Sequence, residues 1–496
     1  MPSTAPPFKP LPSGEIVYGD LALTSTSARQ KSSWLSNLAL VAVGIALICN
    51  WNRNTQSYDP LLALVGFSII SYVVTLVLIP LLGPEFVRIG FHGRDLGKKD
   101  RPLIPETMGA VCALVYLVTM FFFIPFLFYK YIVTDTSGGG NREQGIDIGS
   151  TLLHTGQPMR MFPHSKLAEY LAALLSSFSM LVLGVADDLF DIRWRNKLFM
   201  PAIAVLPLIF VYYVDFGVTR VVVPKFVYQL VSPNTAELPV TIDLGVLYYL
   251  YMLALAIFLP NSINILAGIN GLEAGQAFVI AIFLLINDAL YVLPSRLFDV
   301  SHPATEAHLL SMYFILPLVA VTFALLRFNW FPASVFVGDT YCYFAGMVLA
   351  QVGILGHFAK TLMLFLIPQV FNFIYSAPQL FHLIPCPRHR LPKFNIETGL
   401  REPSRVAFPE PPKKLQTVML KLLASVKLID IEVDSKSGTV VSASNMTLIN
   451  LVLTWTGPLR EDRLAYVILG IQAGTCIAGL LARHTILPMI FGRDNL

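Results

Sequence analysis

Apolar residues crowd into eleven stretches, at 34–50, 60–83, 107–130, 167–186, 198–214, 244–260, 273–293, 308–326, 335–356, 361–384 and 464–488, and polar residues gather between them. Most of these stretches can cross about 30 Å of hydrocarbon as a helix rising about 1.5 Å per residue. The pattern predicts an all-α polytopic membrane protein of about 10–11 transmembrane helices, with 34–50 the weakest span. Residues 385–446 break the pattern. There a run at 418–426 predicts a short amphipathic helix and an alternating run at 428–433 predicts a strand, so a small α/β insertion should precede the last helix.

The chain therefore divides into a polar N-terminal segment (1–33), an extra N-terminal span with its loop (34–59), a multi-span core (60–384), the insertion (385–446) and an interfacial segment with the last helix (447–496). The insertion is too short to carry a large core of its own. Three glycines at 138–140 mark 131–166 as a flexible loop. No cleavable signal peptide is evident, because the first 33 residues are polar and no small-residue cleavage motif follows 34–50.

Composition agrees with the span pattern. Hydrophobic residues make up 55% and charged ones 13%, with a mean hydropathy of +0.64, which excludes an ordinary soluble domain. A net charge of +4 is too small to argue for a nucleic-acid partner. Cys49, Cys112, Cys342, Cys386 and Cys476 have no CxxC or zinc-ligand spacing and read as packing residues.

Basic residues orient the chain. Arg88, Arg94, Lys98, Lys99 and Arg101 lie in the loop at 84–106, and the 385–446 segment carries ten Lys or Arg, so both should face the cytosol. Alternation then puts 187–197, 261–272, 327–340 and 457–463 on that same face and the N-terminus in the cytosol. The AsnMetThr sequon at 445–447 would be out of reach of glycosylation there.

Four polar patches fall on this face. Asp187, Asp188 and Asp191 suit Mg²⁺, phosphate chemistry or a base, or else form a hydrated helix end. Lys197 is either an interfacial anchor or a ligand for an anionic headgroup. The run at 261–272 holds three Asn and two Gly, able to bind hard cations and phosphate oxygens. Asp339 is a helix cap or a metal ligand. Arg388, His389 and Arg390 form a pyrophosphate or sugar clamp or a topological flank. His92, His302, His308 and His357 lack metal-like pairing. Together the patches describe phosphate transfer to a lipid. The rival is a nucleotide-sugar transporter, which would place its polar groups near the bilayer midplane.

The strings ADDLFDIRWRNK (186–197), NSINILAGINGLEAG (261–275), FVGDTYCYFAG (336–346) and PCPRHRLPK (385–393) closely resemble the motifs of the polyprenyl-phosphate N-acetylhexosamine-1-phosphate transferase superfamily, of the glycosyltransferase family 4 type. The resemblance runs in order from about residue 60 to the C-terminus and is nearest to the superfamily's eukaryotic GlcNAc branch. It implies an endoplasmic reticulum membrane enzyme with a cytosol-facing site. The reaction implied is GlcNAc-1-phosphate transfer from UDP-GlcNAc to dolichyl phosphate with Mg²⁺, yielding GlcNAc-diphosphodolichol and UMP. A homodimer is left open.

Carried over motif by motif, the resemblance makes Asn264 and Asp339 the Mg²⁺ ligands and Asp187, Asp188, Lys197, Asn264 and Asp339 the catalytic set. It assigns dolichyl phosphate to Lys197 and the segment Ile257, Phe258, Leu259, Pro260, Asn261, Ser262, Ile263, Asn264 and Ile265. Gly268, Asn270 and Phe336 resemble the uridine site, with Arg94, Asp95, Leu96 and Glu106 closing over the nucleotide, and Arg388, His389 and Arg390 resemble the sugar and pyrophosphate clamp. Asp187 and Asp188 are expected to position Lys197 and the acceptor. Direct displacement is the favoured course, with a covalent aspartyl intermediate left open.

Overall fold

The computed structural model describes residues 26–50, 60–133, 163–223, 241–297, 302–387, 390–408, 411–434 and 439–491. Each of the eleven apolar stretches contains helix. The first half of the chain supplies α1 (Thr26–Asn50), α2 (Pro60–Arg88), α3 (Gly109–Val133), α4 (His164–Phe190), a single turn α5 (Trp194–Lys197) and α6 (Met200–Asp215). There follow α7 (Val246–Ile265), α8 (Leu272–Leu297), α9 (Thr305–Asn329), α10 (Gly338–Leu355), α11 (Ala359–Phe365) and α12 (Ile367–Leu380). The insertion holds α13 (Lys414–Ser425), and α14 (Leu448–Thr456) leads to the last long helix, α15 (Glu461–Leu481).

Among the described residues, α2, α3, α4, α7, α8, α9 and α15 are long and apolar enough to cross a membrane, seven in all. The protein is thus an all-α polytopic membrane protein. The stretch at 361–384, expected as one span, is instead two helices, α11 and α12, meeting at 67°. Pro368, the second residue of α12, has no N–H for the Leu364 carbonyl, and its ring would collide with it. Counted as one crossing, this bent pair makes an eighth span. The apolar part of α1 and the 16-residue α6 are shorter.

The centre of the bundle is α10, in which every residue from Thr340 to Leu355 is buried. A helix that is covered on all sides needs close neighbours, and glycines provide them. A Cβ on Gly184 of α4 would stand 2.5 Å from Thr340 Cα, and one on Gly346 of α10 would stand 2.5 Å from Pro260 Cα of α7. These contacts bring the C-terminal ends of α4 and α7 and the N-terminal end of α10 to the same end of the bundle.

In α12 the usual amphipathic order is reversed. Ile367 and Ile374 are exposed, while Gln369, Asn372, Ser376 and Gln379, at helical spacing, are buried. This polar face docks the C-terminal part of the chain. Asn372 Oδ1 accepts from Leu448 N at 2.8 Å, Ser376 Oγ donates to Met446 O at 2.7 Å, and Gln379 Oε1 accepts from Met446 N at 2.8 Å.

Sheets are small and antiparallel. β1 (His92–Arg94) pairs with β2 (Leu103–Pro105) on the loop after α2, and β3 (Arg220–Val222) with β4 (Thr241–Asp243) after α6. In the insertion β5 (Lys393–Phe394) pairs with β6 (Arg401–Glu402), and β7 (Arg405–Ala407), β9 (Val440–Ser444) and β8 (Ile431–Val433) form a three-stranded sheet in the order β7-β9-β8. The expected insertion helix is therefore present as α13, and the expected strand is shortened to β8.

Candidate active site

Asp339 lies in the first turn of α10, and both of its carboxylate oxygens have partners. Lys197 Nζ reaches Oδ2 at 2.8 Å and Asn264 Nδ2 donates to Oδ1 at 3.0 Å. Lys197 also stands 3.2 Å from Asp187 Oδ2, which accepts in addition from Tyr343 OH at 2.9 Å. Burial works against the Lys197 ammonium, but Asp339 and Asp187 outweigh it and raise its pKa. Two of its three donors are engaged by these carboxylates, which leaves one for a ligand.

Asp188 takes a different place from the one expected of it. Its carboxylate caps α10 from across the bundle, with Oδ1 accepting from Asp339 N at 2.7 Å and Oδ2 from Thr340 Oγ1 at 2.6 Å and Thr340 N at 3.3 Å. It contacts the helix that bears Asp339, and its hydrogen bonds do not go to Lys197. The α10 N-terminus has no cap from its own chain neighbours, so Asp188 satisfies N–H groups that would otherwise be orphaned and complements the positive end of the helix dipole. Asp339 is accordingly not the cap of its own helix. Gly338 makes the close approach feasible: its φ is +75°, and a Cβ there would stand 2.5 Å from Asp188 Oδ2.

A cavity of about 240 Å³ opens beside Asp339. Seven residues expected to hold the nucleotide, Arg94, Asp95, Leu96, Glu106, Gly268, Asn270 and Phe336, line it together with Asn264 and Asp339. Arg94 ends β1, Asp95 and Leu96 follow it, Glu106 follows β2, and Phe336 donates its N–H to Pro105 O of β2 at 2.8 Å. Burial first, and then the charges of Asp188 and Asp339, push the Glu106 carboxyl above its usual range.

The proposed acceptor segment forms the C-terminal half of α7. Leu259, Pro260, Asn261, Ser262 and Ile263 are buried, whereas Ile257, Phe258, Asn264 and Ile265 keep partial exposure. Arg388 and His389 lie outside the described residues. Arg390 is half-buried, its carbonyl accepting from Asn450 Nδ2 at 3.0 Å, and it is not in the cavity wall.

Sequence reasoning missed several residues. Tyr343 stands four positions after Asp339 on one helix face, a spacing that points to Asp187's surroundings. Glu273, which accepts from Gly268 N at 3.1 Å, and Glu461, which accepts from Asn270 N at 2.7 Å and pairs with Arg401 at 2.8 Å, both line the cavity. Glu461 is nearly 200 residues from Asn270, and no local signal ties them.

No group of three or more His, Cys, Asp or Glu side chains is placed to hold a metal among the described residues. Asn264 and Asp339 nonetheless fit a hard cation that takes few protein ligands and completes its shell with water and phosphate oxygens. Both can offer oxygen once the Asn264 amide turns, and the Asp339 side chain is 29% exposed.

The Glycosyl transferase family 4 profile matches residues 170–357. The UDP-N-acetylglucosamine-dolichyl-phosphate N-acetylglucosaminephosphotransferase of Saccharomyces cerevisiae is 52% identical over 461 residues, covering 92% of this chain and 99% of the yeast protein. That of Schizosaccharomyces pombe is 49% identical over 93% of this chain and 99% of its own length. The Dictyostelium discoideum enzyme is 40% identical over 83% and 85%.

Proposed function

The chain belongs to the family of UDP-N-acetylglucosamine-dolichyl-phosphate N-acetylglucosaminephosphotransferases, and from that premise we infer that it transfers GlcNAc-1-phosphate from UDP-GlcNAc to dolichyl phosphate. The products are GlcNAc-diphosphodolichol and UMP, and the reaction is the first step of lipid-linked oligosaccharide synthesis for protein N-glycosylation. The observation that carries the mechanism is the convergence of Lys197 and Asn264 on Asp339, with Asn264 and Asp339 in the cavity wall.

In our reading, a dolichyl phosphate oxygen attacks the β-phosphorus of UDP-GlcNAc. The bond from that phosphorus to the bridging oxygen breaks, and UMP leaves with the electron pair. A phosphate monoester has its second pKa near 6, so the nucleophile is already mostly ionised at neutral pH and needs no strong base. Lys197 uses its remaining donor to hold the acceptor phosphate. Asp187 fixes Lys197 from one side, and Asp188 fixes Asp339 by capping α10. Asn264 and Asp339 would hold Mg²⁺, which supplies neutralising charge for the leaving nucleotide. Gly268, Asn270 and Phe336 hold the uridine, Arg94, Asp95, Leu96 and Glu106 close over the nucleotide, and Arg388, His389 and Arg390 clamp the sugar and pyrophosphate. The acceptor phosphate lies alongside the backbone around Ile257 to Ile265.

The basic loops at the active end support a cytosolic site in the endoplasmic reticulum membrane. The experiment is transfer from UDP-GlcNAc labelled at the β-phosphorus. The label should appear in a diphosphodolichol lipid, and its appearance in free UDP would overturn the reading.

A further inference from the structure

We propose that three buried glutamines, Gln276 of α8, Gln369 of α12 and Gln472 of α15, form a positioning relay that fixes the Asn264 end of α7 relative to the break between α11 and α12. The inference rests on the transfer reaction assigned above. Each of the three side chains is 1% exposed, and polar groups at such depth in a membrane bundle are costly unless paired.

Every donor in the trio is engaged. Gln276 Nε2 donates to Ile263 O at 3.1 Å and to Leu266 O at 2.8 Å, the carbonyls on either side of Asn264 at the end of α7. Gln369 Nε2 donates to Gln276 Oε1 at 2.9 Å and to Gln472 Oε1 at 2.7 Å. Gln472 Nε2 donates to Phe365 O, the last residue of α11, at 2.7 Å and to Cys476 Sγ at 3.3 Å.

The relay therefore has a direction. Turning the Gln276 amide over would set its oxygen against the Ile263 and Leu266 carbonyls, and turning Gln369 would set its oxygen against those of Gln276 and Gln472. The last turn of a helix has carbonyls without onward partners, and Gln276 satisfies two of them where the helix must stop one residue after Asn264. Because the same chain of amides holds the end of α11, the proposed acceptor segment and the bend in the neighbouring span are set as one unit. None of the three glutamines lines the cavity, so they act through Asn264 and are positioning residues.

The test compares Gln276→Met, Gln369→Leu and Gln472→Met with the parent enzyme, each purified whole and checked for its unfolding midpoint. Variants that keep the parent midpoint should lose about 10- to 100-fold in kcat/KM for dolichyl phosphate, the scale of a small misplacement of a reacting group, while UMP affinity stays within about twofold of the parent. Unchanged kcat/KM in folded variants overturns the relay. A parallel loss of UMP affinity and turnover also overturns it, since that marks general loosening. A parent enzyme that itself makes no diphosphodolichol product would sink the assigned reaction instead, which separates the two failures.

Discussion

At the residue scale the account turns on Asp339, whose two oxygens meet Lys197 and Asn264. Asp339→Asn removes the hard anionic oxygen and should lower kcat by about 100-fold or more, the scale of a lost electrostatic stabiliser, with the protein still folded. Near-parent activity at limiting Mg²⁺ would remove Asp339 from the proposed site. Glu106 gives a pH prediction with a definite sign. Its carboxyl is raised by burial and by Asp188 and Asp339, so its contribution to stability is full below the ordinary carboxylate pKa and is lost as pH rises through its folded value. Glu106→Gln should thus unfold at a higher temperature than the parent near pH 7, with the gap closing towards about pH 4, while UDP-GlcNAc binds more weakly. A gap that widens on acidification would contradict the sign. That Asp187, Lys197, Asn264 and Asp339 meet was foreshadowed by their motifs falling on one face of the predicted topology. What Asp188 bonds was not, because its partner helix lies 151 positions away.

At the scale of elements, α10 is held where a carboxylate from another helix caps it and glycines admit its neighbours. Asp188→Ala removes the carboxylate that accepts from the first N–H groups of α10. Loss of a cap to Ala costs about 0.5–2 kcal/mol in typical hosts. The variant should therefore melt lower by a corresponding amount and turn over more slowly, with UMP affinity little changed. A variant with parent kinetics would show that the cap does not matter to catalysis. Helices were readable from apolar runs, and α13 from its amphipathic spacing. The break before Pro368 was not, since hydropathy alone reads through a proline that the chain uses to turn. The reversed polarity of α12 escaped notice for the same reason: buried amides look like interruptions until their partners near Met446 are known.

Over the whole molecule, Arg94, Glu106, Asp187, Lys197, Asn264 and Asp339 come from well-separated parts of the chain and meet at one end of the bundle. That clustering separates a transferase at a membrane face from a transporter with a midplane site. Hydropathy marked where the helices lie along the chain. It did not mark the contact of α15 with the loop after α7, Glu461 to Asn270, because that contact depends on tertiary packing across the chain. Orientation gives a prediction at this scale. With the N-terminus cytosolic, a glycosylation acceptor site engineered near residue 15 should stay unmodified, and one in a lengthened 51–59 loop should be modified; the reverse pattern would invert the topology. The most direct test of the account is UMP release from UDP-GlcNAc by the purified protein in Mg²⁺, with and without dolichyl phosphate. UMP should form only when dolichyl phosphate is present and in equal amount to the diphosphodolichol product, whereas a stoichiometric burst of UMP without the acceptor would contradict direct transfer between the two substrates.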